Sequence, residues 1–123
     1  MFKTLIVDDN EDFRHSLIEL LSKHYPAMDI TQASCGKEAR KTMERLTPHL
    51  IFMDIRLPDE NGLEVSKQIK FLNPNIDLVI MSSFDIPEYR NAAERSGAIY
   101  FLAKETLSHS IYDLFNNVLM RIN

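Results

Sequence analysis

The sequence predicts an α/β fold in which a five-stranded parallel sheet is doubly wound by five helices. Three observations predict it. Five short runs of apolar and β-branched residues alternate with longer stretches of helical period, as in successive βαβ units. Three of those runs are nearly continuous in apolar residues, as strands covered on both faces must be. Four of the five deliver a polar side chain where they end, and in open α/β sheets the chemistry lies beyond the carboxyl ends of the strands.

The first strand is "TLIVD", Thr4 to Asp8, followed by a helix whose apolar residues Phe13, Leu17, Leu20 and Leu21 fall on one face. The second, "DITQA" (Asp29 to Ala33), alternates polar with apolar and suits a sheet edge; its helix carries Ala39, Met43 and Leu46 inward. The third, "LIFMD" (Leu50 to Asp54), leads to a helix with Val65, Ile69 and Leu72 on its inner face. The fourth, "DLVIM" (Asp77 to Met81), precedes a helix over roughly Ile86 to Ser96. Asp85 and Glu88 have the spacing of a capping box there, Pro87 suits the first turn, and Gly97 suits the position past the end. That helix offers mainly Tyr89, Ala92 and Ala93 to the interior, so it is either a weakly held moving element or a small helix on a crowded face. The fifth strand, "IYFLA" (Ile99 to Ala103), precedes the widest stripe of all: Ile111, Leu114, Phe115, Val118, Leu119 and Ile122. The usual strand order for such a chain is 2-1-3-4-5, with a crevice between strands 1 and 3.

Composition narrows the function. A chain of 123 residues at 45% hydrophobic and 26% charged reads as one ordinary soluble domain, and no apolar run approaches the roughly 20 residues of a membrane span. The start has no signal-peptide layout, and the single cysteine, Cys35, excludes an internal disulfide and suits a reducing cytoplasm. The net charge of −4, with basic residues scattered among acids, argues against direct contact with nucleic acid.

The polar residues at the strand ends carry the chemistry. Asp8 and Asp9 follow strand 1, Asp54 ends strand 3, Ser82 follows strand 4 and Lys104 follows strand 5, whereas the edge strand delivers no charge. Crowded carboxylates repel: two unit charges about 4 Å apart cost roughly 4 kcal/mol at an effective dielectric of about 20. One lysine leaves three acids short of compensation, so a divalent cation is expected, and all-oxygen ligands favour Mg²⁺, or Mn²⁺, over zinc. His15, His24, His49 and His109 show no metal-site spacing. A carboxylate beside such a cation and an ammonium can act as a nucleophile toward phosphorus, with a hydroxyl such as that of Ser82 to steady the transferring group.

The sequence resembles the receiver domains of bacterial two-component response regulators. "VDDN" (Val7 to Asn10), "MDIRLPDENGLEV" (Met53 to Val65), "IMSS" (Ile80 to Ser83) and "SGAIYFLAKE" (Ser96 to Glu105) carry the resemblance, in order, with residues 1–123 read as one such domain of flavodoxin-like topology. It implies Asp54 as phospho-acceptor for a histidine kinase, and Asp8 and Asp9 as the metal-holding acids with the backbone carbonyl of Arg56. Ser82 and Lys104 would contact the phosphoryl group, and Phe101 would sit at the aromatic switch position or serve as a plain core aromatic. Phosphorylation would then reorganise the face of the fourth helix, fifth strand and fifth helix for dimerisation or an output domain.

Four departures bear on this. Glu105 stands where many receivers place a cis proline, so a trans bond is expected; with "SGAIYFL" before it, "AKE" is closer to NarL/FixJ/LuxR-type transcription regulators, whose DNA-binding domain is not in this chain. Ser83 replaces a smaller residue, implying a tighter pocket. Phe101 lacks the hydroxyl of a switch tyrosine. Arg56 and Phe84 flank the pocket mouth, and their charge and bulk predict a long-lived phosphate. Two enzyme-like or carrier alternatives fit less well. A haloacid-dehalogenase-like phosphatase needs a second Asp where Arg56 stands, and the acids of "VDDNED" would repel the anion of a flavodoxin-like carrier. A receiver-shaped interaction module without phosphorylation is the remaining alternative.

Overall fold

The computed structural model describes residues 1–119. Along the chain run β1 (Lys3–Val7), α1 (Glu11–His24), β2 (Asp29–Ala33), α2 (Gly36–Arg45), β3 (Leu50–Asp54), α3 (Gly62–Leu72), β4 (Asp77–Ser82), α4 (Pro87–Arg95) and β5 (Tyr100–Ala103). A 3₁₀ turn (Lys104–Thr106), α5 (Leu107–Asp113) and a π-type turn (Leu114–Val118) complete the described chain. The strands form one parallel sheet of order β2-β1-β3-β4-β5, as the alternation of elements predicts.

Successive side chains of a strand point to opposite faces, and the central strands use both. Leu5, Val7, Ile51, Met53, Leu78 and Ile80 pack toward α2, α3 and α4, where Ala39, Val65, Ile69 and Ala93 meet them. Ile6, Leu50, Phe52, Val79, Met81 and Leu102 pack on the other side against Leu17 and Leu21 of α1 and Ile111, Leu114 and Phe115 beyond β5. All five residues of β3 are buried, which is why its sequence must be apolar up to the carboxylate that ends it.

Caps come from near and far. Asn10 Oδ1 accepts the Phe13 N–H at 3.0 Å, and Asn61 Oδ1 accepts the Leu63 N–H at 2.8 Å. The start of α2 borrows its cap from another loop: Asp59 accepts the Gly36 and Lys37 N–H groups at 2.9 and 3.0 Å. Those two donors hold the Asp59 carboxyl below the usual carboxylate range.

Several expectations need correction. Strand β1 ends at Val7, so Asp8 lies one residue past it. The Asp85–Glu88 capping box does not form; Ile86 occupies the cap position, and Asp85 pairs with Arg90 at 2.5 and 3.0 Å instead. A bidentate guanidinium contact outcompetes the neutral N–H donors of a helix start. Leu72 is 73% exposed at the very end of α3. Val118 is 39% exposed, since the π-type turn rotates it off the stripe. Ile122 lies outside the described residues. Two expectations hold: Gly97 has φ of 92°, the left-handed region that favours glycine, and no described peptide bond is cis. Ala93 is the one buried residue of α4, the thin anchoring its sequence suggests.

Candidate functional site

Strand register assembles the site. Val7 pairs with Met53, Asp54 with Met81, and Ser82 with Ala103, so the residues at or just past these positions share one rim of the sheet. Asp8 is fully buried there; its Oδ1 accepts the Asn10 N–H at 2.9 Å, and Arg14 Nη1 donates to its backbone carbonyl at 2.6 Å. Asp54 is 6% exposed. Lys104, the first residue past β5, places Nζ 2.6 Å from Asp8 Oδ2 and 3.4 Å from Asp54 Oδ1. Ser82 is buried, its Oγ accepting the Phe84 N–H at 2.9 Å and donating to the Phe84 carbonyl at 3.1 Å. A cavity of about 290 Å³ opens over these groups, lined by Asp9, Asp54, Arg56, Ser82, Phe84 and Lys104 among others.

The electrostatics show a deficit of positive charge. Burial, and then the Asp8 carboxylate beside it, push the Asp54 carboxyl from 3.8 up to about 6, although the Lys104 ammonium pulls the other way. Asp8, Asp9 and Asp54 each offer an oxygen within 4.8 Å of the others. Asp8 Oδ2 is buried, and its charge is met by the Lys104 ammonium 2.6 Å away. Three converging carboxylate oxygens with a single ammonium among them fit a hard divalent cation held by oxygen ligands.

This arrangement of acids, hydroxyl and lysine on a 2-1-3-4-5 sheet agrees with the family comparison, in which residues 4–116 match the model of the response regulator receiver domain. The chain belongs to that family.

The receiver is 29% identical over 117 residues to the chemotaxis protein CheY of Halobacterium salinarum, covering 95% of this chain and 96% of that protein. It is 31% identical over 111 residues to the transcriptional regulatory protein LnrK of Bacillus subtilis, covering 90% of this chain but 50% of that one. Among solved structures, a response regulator protein from Burkholderia pseudomallei with a phosphorylated aspartic acid and calcium superposes with a TM-score of 0.83. It is 23% identical and covers 99% of this chain and 71% of the other, which shows a shared fold. This receiver thus spans about half the length of some curated relatives and nearly all of others.

At the mouth of the receiver's cavity three side chains interlock. The Arg56 guanidinium lies 4.6 Å over the Phe84 ring, Arg56 Nη2 donates to the Tyr89 hydroxyl at 3.2 Å, and the Phe84 and Tyr89 rings meet edge to face at 6.4 Å. The Arg56 charge is therefore tied above the aromatic pair rather than aimed at the acids. Ser83 is exposed and is among the residues that line the cavity. Phe101 is turned inward at 9% exposure, with the Arg90 guanidinium 4.8 Å over its ring. That arginine is the one held by Asp85.

Every side chain assigned to the site from the sequence lies at this rim except Phe101, which is buried beneath the α4 side. Sequence reasoning missed Phe13, Arg14, Tyr89 and Gly62. A Cβ on Gly62 would collide with the Asp54 backbone carbonyl, so glycine is what lets α3 start against the end of β3. The "NG" at residues 61–62 was the available signal. Arg14 and Tyr89 had none, because their partners are distant in the chain.

Proposed function

We propose that this receiver accepts a phosphoryl group from a histidine kinase on Asp54, with Mg²⁺ (or Mn²⁺) held by Asp8, Asp9, Asp54 and the Arg56 backbone carbonyl. The observation that carries the reading is the convergence of three carboxylates and one ammonium beneath a cavity. An Asp54 oxygen attacks phosphorus, the bond from phosphorus to the donor nitrogen breaks, and the leaving imidazole takes up a proton. Mg²⁺, when bound by these residues, would supply charge compensation for the phosphoryl oxygens, and Lys104 supplies a positive group of the chain's own. Ser82 is poised to exchange its two bonds to Phe84 for one to the phosphoryl group, which releases the segment leading into α4. That release, relayed through Phe101 to the α4–β5–α5 face, sets dimerisation or an output. The protein works as a phosphoacceptor switch rather than a metabolic enzyme. Two comparisons support the reading: a fold neighbour described with a phosphorylated aspartic acid and calcium, and a relative named as a transcriptional regulatory protein. An output domain of that kind, rather than the receiver, would contact DNA in the cytoplasm. Among the described residues no helix is long and apolar enough to cross a membrane.

Mass spectrometry after incubation with acetyl phosphate and Mg²⁺ tests this directly. One phosphoryl group is expected, and none with Asp54→Ala or after chelation. An unmodified wild-type mass would leave the interaction-module reading in its place.

The mouth makes a separate prediction. Arg56 and Phe84 line the cavity mouth and Tyr89 braces them, so hindered entry of water and slow hydrolysis are expected. Arg56→Ala with Phe84→Ala is expected to shorten the phosphate lifetime about tenfold, the effect of losing roughly 1.4 kcal/mol of barrier. Timed loss of the phosphorylated mass after donor removal measures it.

A further inference from the structure

We infer that Phe13 is a positioning residue for Lys104, its ring holding the ammonium that the proposed phosphoryl transfer uses. The inference rests on that reading of the site. A lysine ammonium carries three N–H groups on a flexible four-carbon stem, and a precise position needs each direction occupied. Here two directions are taken by Asp8 Oδ2 at 2.6 Å and Asp54 Oδ1 at 3.4 Å. The Phe13 ring supplies a third contact, its centroid 4.6 Å from Nζ, well inside the range of about 6 Å over which a cation is drawn to an aromatic face. The Lys104 side chain is left only 12% exposed.

The ring is itself well anchored. Phe13 sits in the first turn of α1, where its N–H is held by the Asn10 cap, and it packs against the Leu17 side of the core. An aromatic face suits this task better than a third acid would. It orients the ammonium without neutralising it, so the positive charge stays available to phosphoryl oxygens. It is also a contact for which a cation bound by the carboxylates does not compete. Read from periodicity alone, Phe13 is one more inward residue of α1; the half-buried ring beside the acid cluster gives it this second role.

Three proteins decide the matter: wild type, Phe13→Leu, which keeps an apolar side chain but no ring, and Phe13→Tyr, which keeps the ring. With acetyl phosphate and Mg²⁺, Phe13→Leu is expected to lower the maximal phosphorylation rate about fivefold while the half-saturating donor concentration stays within about twofold. Phe13→Tyr is expected to restore the rate. Without any donor, the Lys104 ε-methylene protons are expected to show a ring-current upfield shift by NMR in wild type and Phe13→Tyr, and to lose it in Phe13→Leu. A tyrosine variant as slow as the leucine one overturns the proposal, as do Lys104 protons that show no ring-current shift in wild type. If the wild type takes no phosphate at all, the reading of the site fails; the proton shifts then still decide whether the ring holds Lys104.

Discussion

Asp54→Asn is expected to raise the stability of the metal-free protein by about 3 kcal/mol at pH 7. The Asp54 carboxyl is displaced from 3.8 to about 6, first by burial and then by Asp8, and each pH unit of displacement is worth about 1.36 kcal/mol. The folded value lies above the unfolded one, so the folded chain binds the extra proton between about pH 4 and about pH 6. Stability from this group therefore falls as pH rises through that window, and the full cost is felt above it. Asparagine keeps the shape and removes the titration. Urea unfolding with chelator present should show a higher midpoint for the variant at pH 7 and a much smaller difference near pH 4. Equal stabilities at pH 7 would mean that the carboxylate is not strained by its surroundings. The same repulsion is what a divalent cation would relieve, so Mg²⁺ should narrow the gap between the two proteins.

Lys104→Met acts in the opposite direction. Removing the ammonium leaves a fully buried Asp8 facing a nearly buried Asp54 with no cation between them. Breaking a buried ion pair by deleting one partner costs about 3–5 kcal/mol, mostly the penalty of the stranded charge. A loss of about 3 kcal/mol at pH 7 is expected, since methionine keeps much of the stem's packing. The loss should shrink as pH falls toward about 6, because without the ammonium Asp54 takes up its proton at a higher pH than in the parent protein. The two single effects cancel to about zero, and Lys104→Met combined with Asp54→Asn should be more stable than that sum, because the second substitution removes the charge that the first leaves uncompensated. Additive midpoints in denaturant would show that lysine and acid do not sense each other.

Much of this was legible in the sequence because it depends on period and position. The continuous apolar run of β3 required two covered faces, and the alternation of elements required a parallel sheet. Together they put Asp8, Asp9, Asp54, Ser82 and Lys104 at one rim before any distance was known. Helix ends were less legible. Asp85 and Glu88 had the spacing of a capping box, but spacing cannot register that Arg90 offers Asp85 a stronger partner. Asp59 caps α2 across 23 residues of chain, where no local pattern can point.

The sequence by itself determined which groups meet: hydrophobic burial fixes the sheet, and the sheet fixes the strand ends. Only the tertiary structure decided how those groups are held. The seat of Lys104 on the Phe13 ring, the stacking of Arg56 on Phe84 and the inward Phe101 beneath Arg90 are contacts between distant segments. Their energies depend on a few ångströms of separation and on how much water is excluded. Neither quantity is carried by a residue's identity or its neighbours in the chain.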